Sequence, residues 1–185
     1  MPVRELTSRA FFFLASTLLL AASVFAEPPR PEATEAGVKA AFLYKFAAYV
    51  EWPPRVDAAE GPFTIGVLDN DAVASELERI VPGRAVAGHP VVVRRLRRGE
   101  PAPDVQVLFV GGDDPDASAI RAAQKQATLV VTESAHGLAA GSAINFVVAG
   151  ERVGFEVSLD GAEKSGLRIS SRMLAVARRV VQKGS

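Results

Sequence analysis

Phe63-Thr64-Ile65-Gly66-Val67-Leu68, followed by Asp69-Asn70-Asp71, is the stretch that decides the fold. The first part is a short apolar run, the length of a strand and not of a helix, so it reads as a buried strand. Asp71 then offers a cap for a helix over residues 72–81, with Val73, Leu77 and Ile80 at helical spacing and turned inward. Pro82-Gly83 ends that helix. The same alternation continues downstream. After the Gly88-His89-Pro90 turn comes a second strand, Val91 to Arg95, and then a third, Val105 to Val110, apolar enough to sit centrally. Gly111-Gly112 breaks it, and Asp113 or Asp114 caps a helix over about 116–126. Thr128 to Thr132 is a fourth strand, and Ser134 to Ala140 a short helical turn closed by Gly141. Ala143 to Val148 and Arg152 to Leu159, joined by Ala149-Gly150-Glu151, form a hairpin whose second run places Val153, Phe155, Val157 and Leu159 on one face. A last helix is expected from about Ser170 to Gln182, with Met173, Leu174, Ala177 and Val181 inward and Arg178, Arg179 and Lys183 near its C-terminus, where they suit the dipole. This order predicts a layered α/β domain: a largely parallel central sheet plus a C-terminal β-hairpin and helix.

Upstream, a helix is expected from Glu35 to about Glu51. Val38, Phe42, Phe46 and Tyr49 line one face, and Leu43, Tyr44, Ala47 and Val50 make other faces apolar too. A helix apolar nearly all round is buried on most sides, between layers or at an interface. Residues 27–34, with three prolines, read as a flexible leader. Before them, Arg4 and Arg9 precede an apolar run from Ala10 to Ala22, and Val24-Phe25-Ala26 carries small residues at the cleavage positions. Residues 1–26 therefore read as a secretory signal peptide, and residues 35–185 as a single domain, periplasmic if the cell is bacterial. The apolar run is short for a membrane span, and no later run approaches that length, so no stable membrane insertion is expected after cleavage.

Composition narrows the function mainly by exclusion. Twenty-one basic residues balance twenty-one acidic ones, so no global field favours nucleic acid. The chain has no Cys, which removes disulfides, thiolate zinc and thiol catalysis. Its two histidines, His89 and His136, lack metal-ligand spacing; His89 reads as a turn residue, and His136 as a partner for a free carbonyl at a helix end. No Gly-x-Ser-x-Gly elbow, Gly-x-Gly-x-x-Gly loop or Walker A loop is present. Gly111-Gly112-Asp113-Asp114 begins like the signature of diguanylate cyclases, but Pro115 follows, and a strand-to-helix turn accounts for all four. These readings predict a protein that is not an enzyme and uses no cofactor and no metal.

Three places invite a binding role. Glu51-Trp52, at the end of the first helix, is a candidate partner-binding surface, since the lone indole can anchor a partner or cover the core edge. Asn70 and Asp113, at strand C-terminal ends, are candidate ligand-binding residues, because open α/β sheets take ligands there. Arg94, Arg95, Arg97 and Arg98 form either a solvated strand end or an anionic docking patch.

Longer blocks carry a resemblance. Val38-Lys39-Ala40-Ala41-Phe42-Leu43-Tyr44-Lys45-Phe46 leading into Val50-Glu51-Trp52-Pro53 resembles the opening of YfiR-like periplasmic proteins. Ile65-Gly66-Val67-Leu68, Pro90-Val91-Val92-Val93-Arg94, Ile144-Asn145-Phe146-Val147 and Val153-Gly154-Phe155-Glu156-Val157 continue it, and Gly166-Leu167-Arg168-Ile169-Ser170-Ser171-Arg172-Met173-Leu174 closes it. The resemblance spans about residues 38–181. It implies a Rossmann-like α/β domain, often a homodimer, exported to the periplasm. It also implies a partner: an inner-membrane sensor protein, either a diguanylate cyclase held repressed or a sensor kinase, with consequences for cyclic-di-GMP and biofilm formation. The family supplies no catalytic residue to carry over. This chain departs from its best-known member in lacking the disulfides. The alternative reading is a periplasmic small-molecule sensor with its pocket near Asn70 and Asp113.

Overall fold

The computed structural model describes residues 34–54, 61–100 and 104–182. The signal peptide and nearly all of the leader expected at the N-terminus lie outside the described residues. No helix among the described residues is long and apolar enough to cross a membrane.

Helix α1 (Glu35–Ala48) opens the described chain, capped by Thr34, whose hydroxyl accepts the Gly37 N–H at 3.0 Å. It ends earlier than expected, because Val50–Glu51 leaves as strand β1 and pairs antiparallel with β9 (Arg168–Ile169). Strand β2 (Phe63–Leu68) feeds helix α2 (Asp71–Ile80). The cap of α2 is Asn70 and not Asp71: the Asn70 side chain accepts the Val73 N–H at 3.0 Å. Next come β3 (Ala85–Val86), β4 (His89–Leu96), β5 (Val107–Val110) and helix α3 (Ala117–Gln124). Neither Asp113 nor Asp114 caps α3; Asp116, directly before its first turn, accepts the N–H groups of Ser118 and Ala119. Strand β6 (Leu129–Thr132), the turn α4 (Gly137–Ala140) closed by left-handed Gly141, and the hairpin β7 (Ile144–Ala149) and β8 (Arg152–Ser158) follow. The short helix α5 (Leu159–Lys164) precedes β9.

The expected last helix is the clearest correction. Ser170 caps only one turn, α6 (Ser171–Leu174), and the chain then extends as β10 (Arg179–Val181) beside β8. The Arg178 N–H donates to the Phe155 carbonyl at 2.8 Å, drawing the tail onto a sheet edge that needs cover. Adjacent valines 180 and 181 favour the extended form.

The main sheet has eight strands in the order β10-β8-β7-β6-β5-β2-β4-β3. It is mixed and not largely parallel. Strands β4, β2, β5, β6 and β7 run together, but β8 runs against β7, carrying β10 with it, and β3 runs against β4. Among the described residues six helices accompany the sheet. One core gathers α1 and α2 against Phe63, Ile65, Val67, Val107, Phe109, Leu129, Val131 and Ile144. The other gathers Ile120 and Ala123 of α3 against Leu68, Leu96, Leu108, Val110 and Val130. The alternation along β2 and β5 sends neighbouring residues to opposite cores, as strand geometry requires.

The inner face of α1 is Ala40, Leu43, Phe46 and Ala47, with Phe42 half-buried beside them. Tyr49 lies beyond the helix and is exposed, and Ala41, Lys45 and Ala48 face solvent, so α1 is not enclosed on most sides. Phe42 and Phe46 stack at 5.6 Å and meet Phe146 and Phe155 at centroid distances of 4.9–6.1 Å. Each such ring pair adds about 0.5–1.5 kcal/mol beyond the area it buries.

Candidate functional site at the strand carboxyl ends

Three loops meet at the carboxyl ends of the parallel strands: Asp69-Asn70 after β2, Gly111-Gly112 after β5 and Glu133-Ser134 after β6. The sheet order reverses here, with β4 on one side of β2 and β5 on the other. In α/β sheets the crevice at such a point is the usual ligand site. In this protein a carboxylate of its own, Glu133, lines it. Glu133 Oε1 accepts the Asn70 Nδ2 donor and the Gly112 backbone N–H, each at 2.9 Å. Glu133 Oε2 accepts Lys39 Nζ at 2.5 Å, and Lys39 also donates to Glu35 one turn earlier in α1. The Lys39 and Glu133 side chains are 7% and 11% exposed.

Glycine makes this closure possible. A Cβ at Gly111 would lie 2.7 Å from the Asn70 Cβ, 2.8 Å from the Asp69 carbonyl oxygen and 3.0 Å from Glu133 Oε1. Gly112 has φ +79, the left-handed region that turns its N–H toward Glu133 at little cost.

The charges hold one another. Burial works to raise the Glu133 pKa, but the Lys39, Gly112 and Asn70 hydrogen bonds and the Lys39 charge outweigh it, and the carboxyl sits below its ordinary value. Burial likewise works to lower the Lys39 pKa, and hydrogen bonds from its ammonium to Glu133 and Glu35 with their charges reverse it, so the amine sits above its ordinary value. Both groups are therefore ionised at neutral pH, and neither is poised to trade a proton there.

An open groove of ≈ 570 Å³ runs beside this network, lined by Glu35, Lys39, Asn70, Asp113, Asn145 and Val147 among others. Asn145, 4% exposed, accepts the Thr132 hydroxyl at 2.8 Å through Oδ1, which leaves its amide NH2 as a donor for the groove. Thr132 also meets the Ser142 hydroxyl at 2.9 Å, beneath Gly137.

Asn70 and Asp113 thus line one groove, Asn70 through its double role as cap and Glu133 donor, Asp113 as an exposed rim residue. Glu51 and Trp52 stand apart from it. Glu51 is exposed in β1, opposite Arg168. Trp52 is half-buried, its indole N–H donating to the Ala47 carbonyl at 3.1 Å and its ring set edge-on to Phe63 at 5.4 Å. Lys39 and Glu133, which hold the strand ends together, were not among the residues singled out from sequence. The available signal was Lys39, the one of the two lysines on α1 that lies among the helix's apolar residues and must meet a carboxylate once buried.

The arginine cluster divides in two. Arg95 reaches Asp71, Ser75 and Glu78 on α2, and Arg98 reaches Asp69 and the Asp114 carbonyl. Arg94 and Arg97 are exposed and make no ion pair among the described residues. His89 shares a hydrogen with the Gly61 carbonyl at 2.9 Å. His136 stands at the N-terminal end of α4, where N–H groups and not carbonyls are free, and its side chain makes no capping bond. Among the described residues no His, Cys, Asp and Glu side chains gather in a metal-binding group.

Comparison with known proteins places this geometry. No curated protein matches the chain. The fold is similar to the crystal structure of a conserved domain protein from Vibrio cholerae O1 biovar El Tor strain N16961, with TM-score 0.53 and 15% sequence identity, over 80% of this chain. This chain spans 60% of that structure's length. The YfiR/HmsC-like family matches residues 36–178, from the second residue of α1 to the residue before β10, and the chain belongs to that family.

Proposed function

We propose that this protein is a periplasmic regulator that controls an inner-membrane signalling protein by binding it, a diguanylate cyclase being the partner class, and that it represses that partner. The observation that carries this reading is the family match over residues 36–178, because the YfiR/HmsC-like family is one of periplasmic regulators of cyclic-di-GMP signalling and not of enzymes. The strand ends fit it. Where an α/β enzyme would hold its substrate, the groove is bordered by the Glu133–Lys39–Asn70 network, in which Lys39 and Asn70 donate to Glu133 and not to a ligand. Glu51 and the open rim of Trp52 are the proposed partner surface, beside the β1–β9 ribbon.

The test is capture in the cell. The full-length protein is expressed in its own host, crosslinked in intact cells and analysed by mass spectrometry. Recovery of a membrane protein with a cyclase or kinase output, together with a change in cyclic-di-GMP on deletion, is expected. Recovery of this chain alone, with a crosslinker that works on a known periplasmic pair, would overturn the reading.

A second reading rests on the groove: Asn70, Asp113 and the donor face of Asn145 line one wall-to-wall space, which suits a small ligand whose binding tunes the regulator. Thermal-shift screening of the protein tests it, since a ligand that binds only the folded state raises its melting temperature. A broad panel without any shift would remove this reading.

A further inference from the structure

The second-to-last strand of the sheet is an open edge. Strand β4 pairs with β2 from Val91 to Leu96, but β3 covers its other side only at His89 and Pro90. Beyond them the Val91 N–H reaches the Arg84 carbonyl at 3.0 Å, and no strand of the described residues follows. That last bond fixes the phase of the edge. Along a parallel strand, successive residues turn both backbone groups to alternate sides. With the Val91 N–H turned outward, Val93 and Arg95 turn outward too, and the N–H and C=O groups of Val93 and Arg95 have no ladder partner among the described residues.

The side chains beside this edge are charged and apolar in a definite pattern. Val92 is 40% exposed, and Arg94 follows on the same face of the sheet. Arg95 is held against α2 by Asp71 and Glu78, and Arg98 by Asp69. Arg94, and Arg97 just past the strand, have no counter-ion among the described residues. A second copy of this chain pairing edge to edge would set these arginines against their own kind, which like-charge opposition disfavours. An extended segment with Asp or Glu on the Arg94 face meets backbone donors and acceptors, the Val92 side chain and two unpaired guanidinium groups at once.

We infer that the β4 edge from Val91 to Leu96 is a docking strand for an extended acidic segment of the protein's signalling partner. This rests on the regulator reading and names how the partner is held. The edge also adjoins the other proposed surface: Trp52 packs on Phe63, whose ladder partner is Val91, the first residue of the open edge.

The test places a photoreactive benzoylphenylalanine at Val92 or at Glu51 of the full-length protein in its own host and maps the adducts by mass spectrometry. The expected adduct from position 92 falls on a periplasmic stretch of a membrane protein with acidic residues at alternate positions. Its yield should fall at least tenfold in Val93→Pro, which deletes an outward N–H at an edge position that tolerates proline. It should fall as far in the double variant Arg94→Glu/Arg97→Glu, which keeps the backbone; this second variant carries the test if Val93→Pro does not fold by circular dichroism. Adducts from position 51 alone would overturn the inference and leave the regulator reading standing. Adducts from position 92 only to another copy of this chain, or a yield indifferent to both variants, would overturn it as well. Absence of any protein adduct from either position would sink both.

Discussion

Replacing Lys39 by methionine should unbalance the strand ends more than any other single change on α1. The substitution keeps most of the side-chain volume and removes one charge. It leaves Glu133, 11% exposed, as a carboxylate without its cation. Breaking a buried ion pair from one side costs about 3–5 kcal/mol. Two donors remain, Asn70 Nδ2 and the Gly112 N–H, and the groove admits some water, while Glu35, at 55% exposure, returns to solvent without loss. These offsets bring the expectation to about 2–4 kcal/mol. For a domain of this size each kcal/mol lowers the melting temperature by about 2–4 °C. The assay is urea unfolding at a series of pH values. In the parent protein the folded Glu133 pKa is depressed from 4.5, so its stabilisation is full above the unfolded value and is lost as pH falls through the folded one. In Lys39→Met the depressing partner is gone while burial remains, so protonation relieves the variant, and the gap between the two proteins narrows as pH falls from the variant's raised carboxyl pKa through the parent's depressed one. Lys39→Met/Glu133→Gln should recover at least half the loss. A single variant within about 0.5 kcal/mol of the parent at neutral pH, the scatter expected of a plain surface substitution, would refute the argument.

Other substitutions probe neighbouring contacts. Gly137→Ala forces a methyl into the Thr132 and Asn145 side chains, and should cost about 1–3 kcal/mol in urea unfolding. Asn70→Ala removes both the cap of α2 and a Glu133 donor; a loss of about 1–3 kcal/mol is expected, with Glu133 moved up in a carbon-detected carboxyl titration. Trp52→Ala strips the edge-on contact with Phe63 and should cost about 3 kcal/mol by thermal circular dichroism, whereas Glu51→Ala, exposed on β1, should leave the melting temperature unchanged.

The centre of this fold was open to sequence reasoning because its signals are local. The apolar run Phe63 to Leu68, the breakers Pro82-Gly83 and Gly111-Gly112, and the Gly150 hairpin each act within a few residues, and strand β5 does lie between β6 and β2. The ends were less legible. Whether Arg179-Val180-Val181 closes a helix or joins a sheet depends on β8 offering an edge, a long-range fact that helical spacing of Met173, Ala177 and Val181 does not carry. The same applies to β1, β3 and β9, two-residue strands that exist only through their partners. The site divides likewise. The architecture of strand ends pointed to Asn70 and Asp113, which line one groove. Lys39 and Glu133 lie 94 positions apart and meet only once α1 lies across the sheet.

The arginines at the β4 edge admit a plainer account, in which they only keep identical edges apart, and charge separates the two accounts. Repulsion between copies depends on like sign and not on which sign it is. Arg94→Glu/Arg97→Glu should therefore be as soluble as the parent, with the same sedimentation coefficient, because a negative edge also repels itself. Mixing the two proteins removes the repulsion while leaving both backbones open. If the edge from Val91 to Leu96 can accept a strand, the mixture should form a species absent from either protein alone, weaker at high salt where exposed charges are screened. Parent and variant that stay apart at hundreds of micromolar in low salt would show an edge sterically closed, and the acidic-segment docking would fall with it.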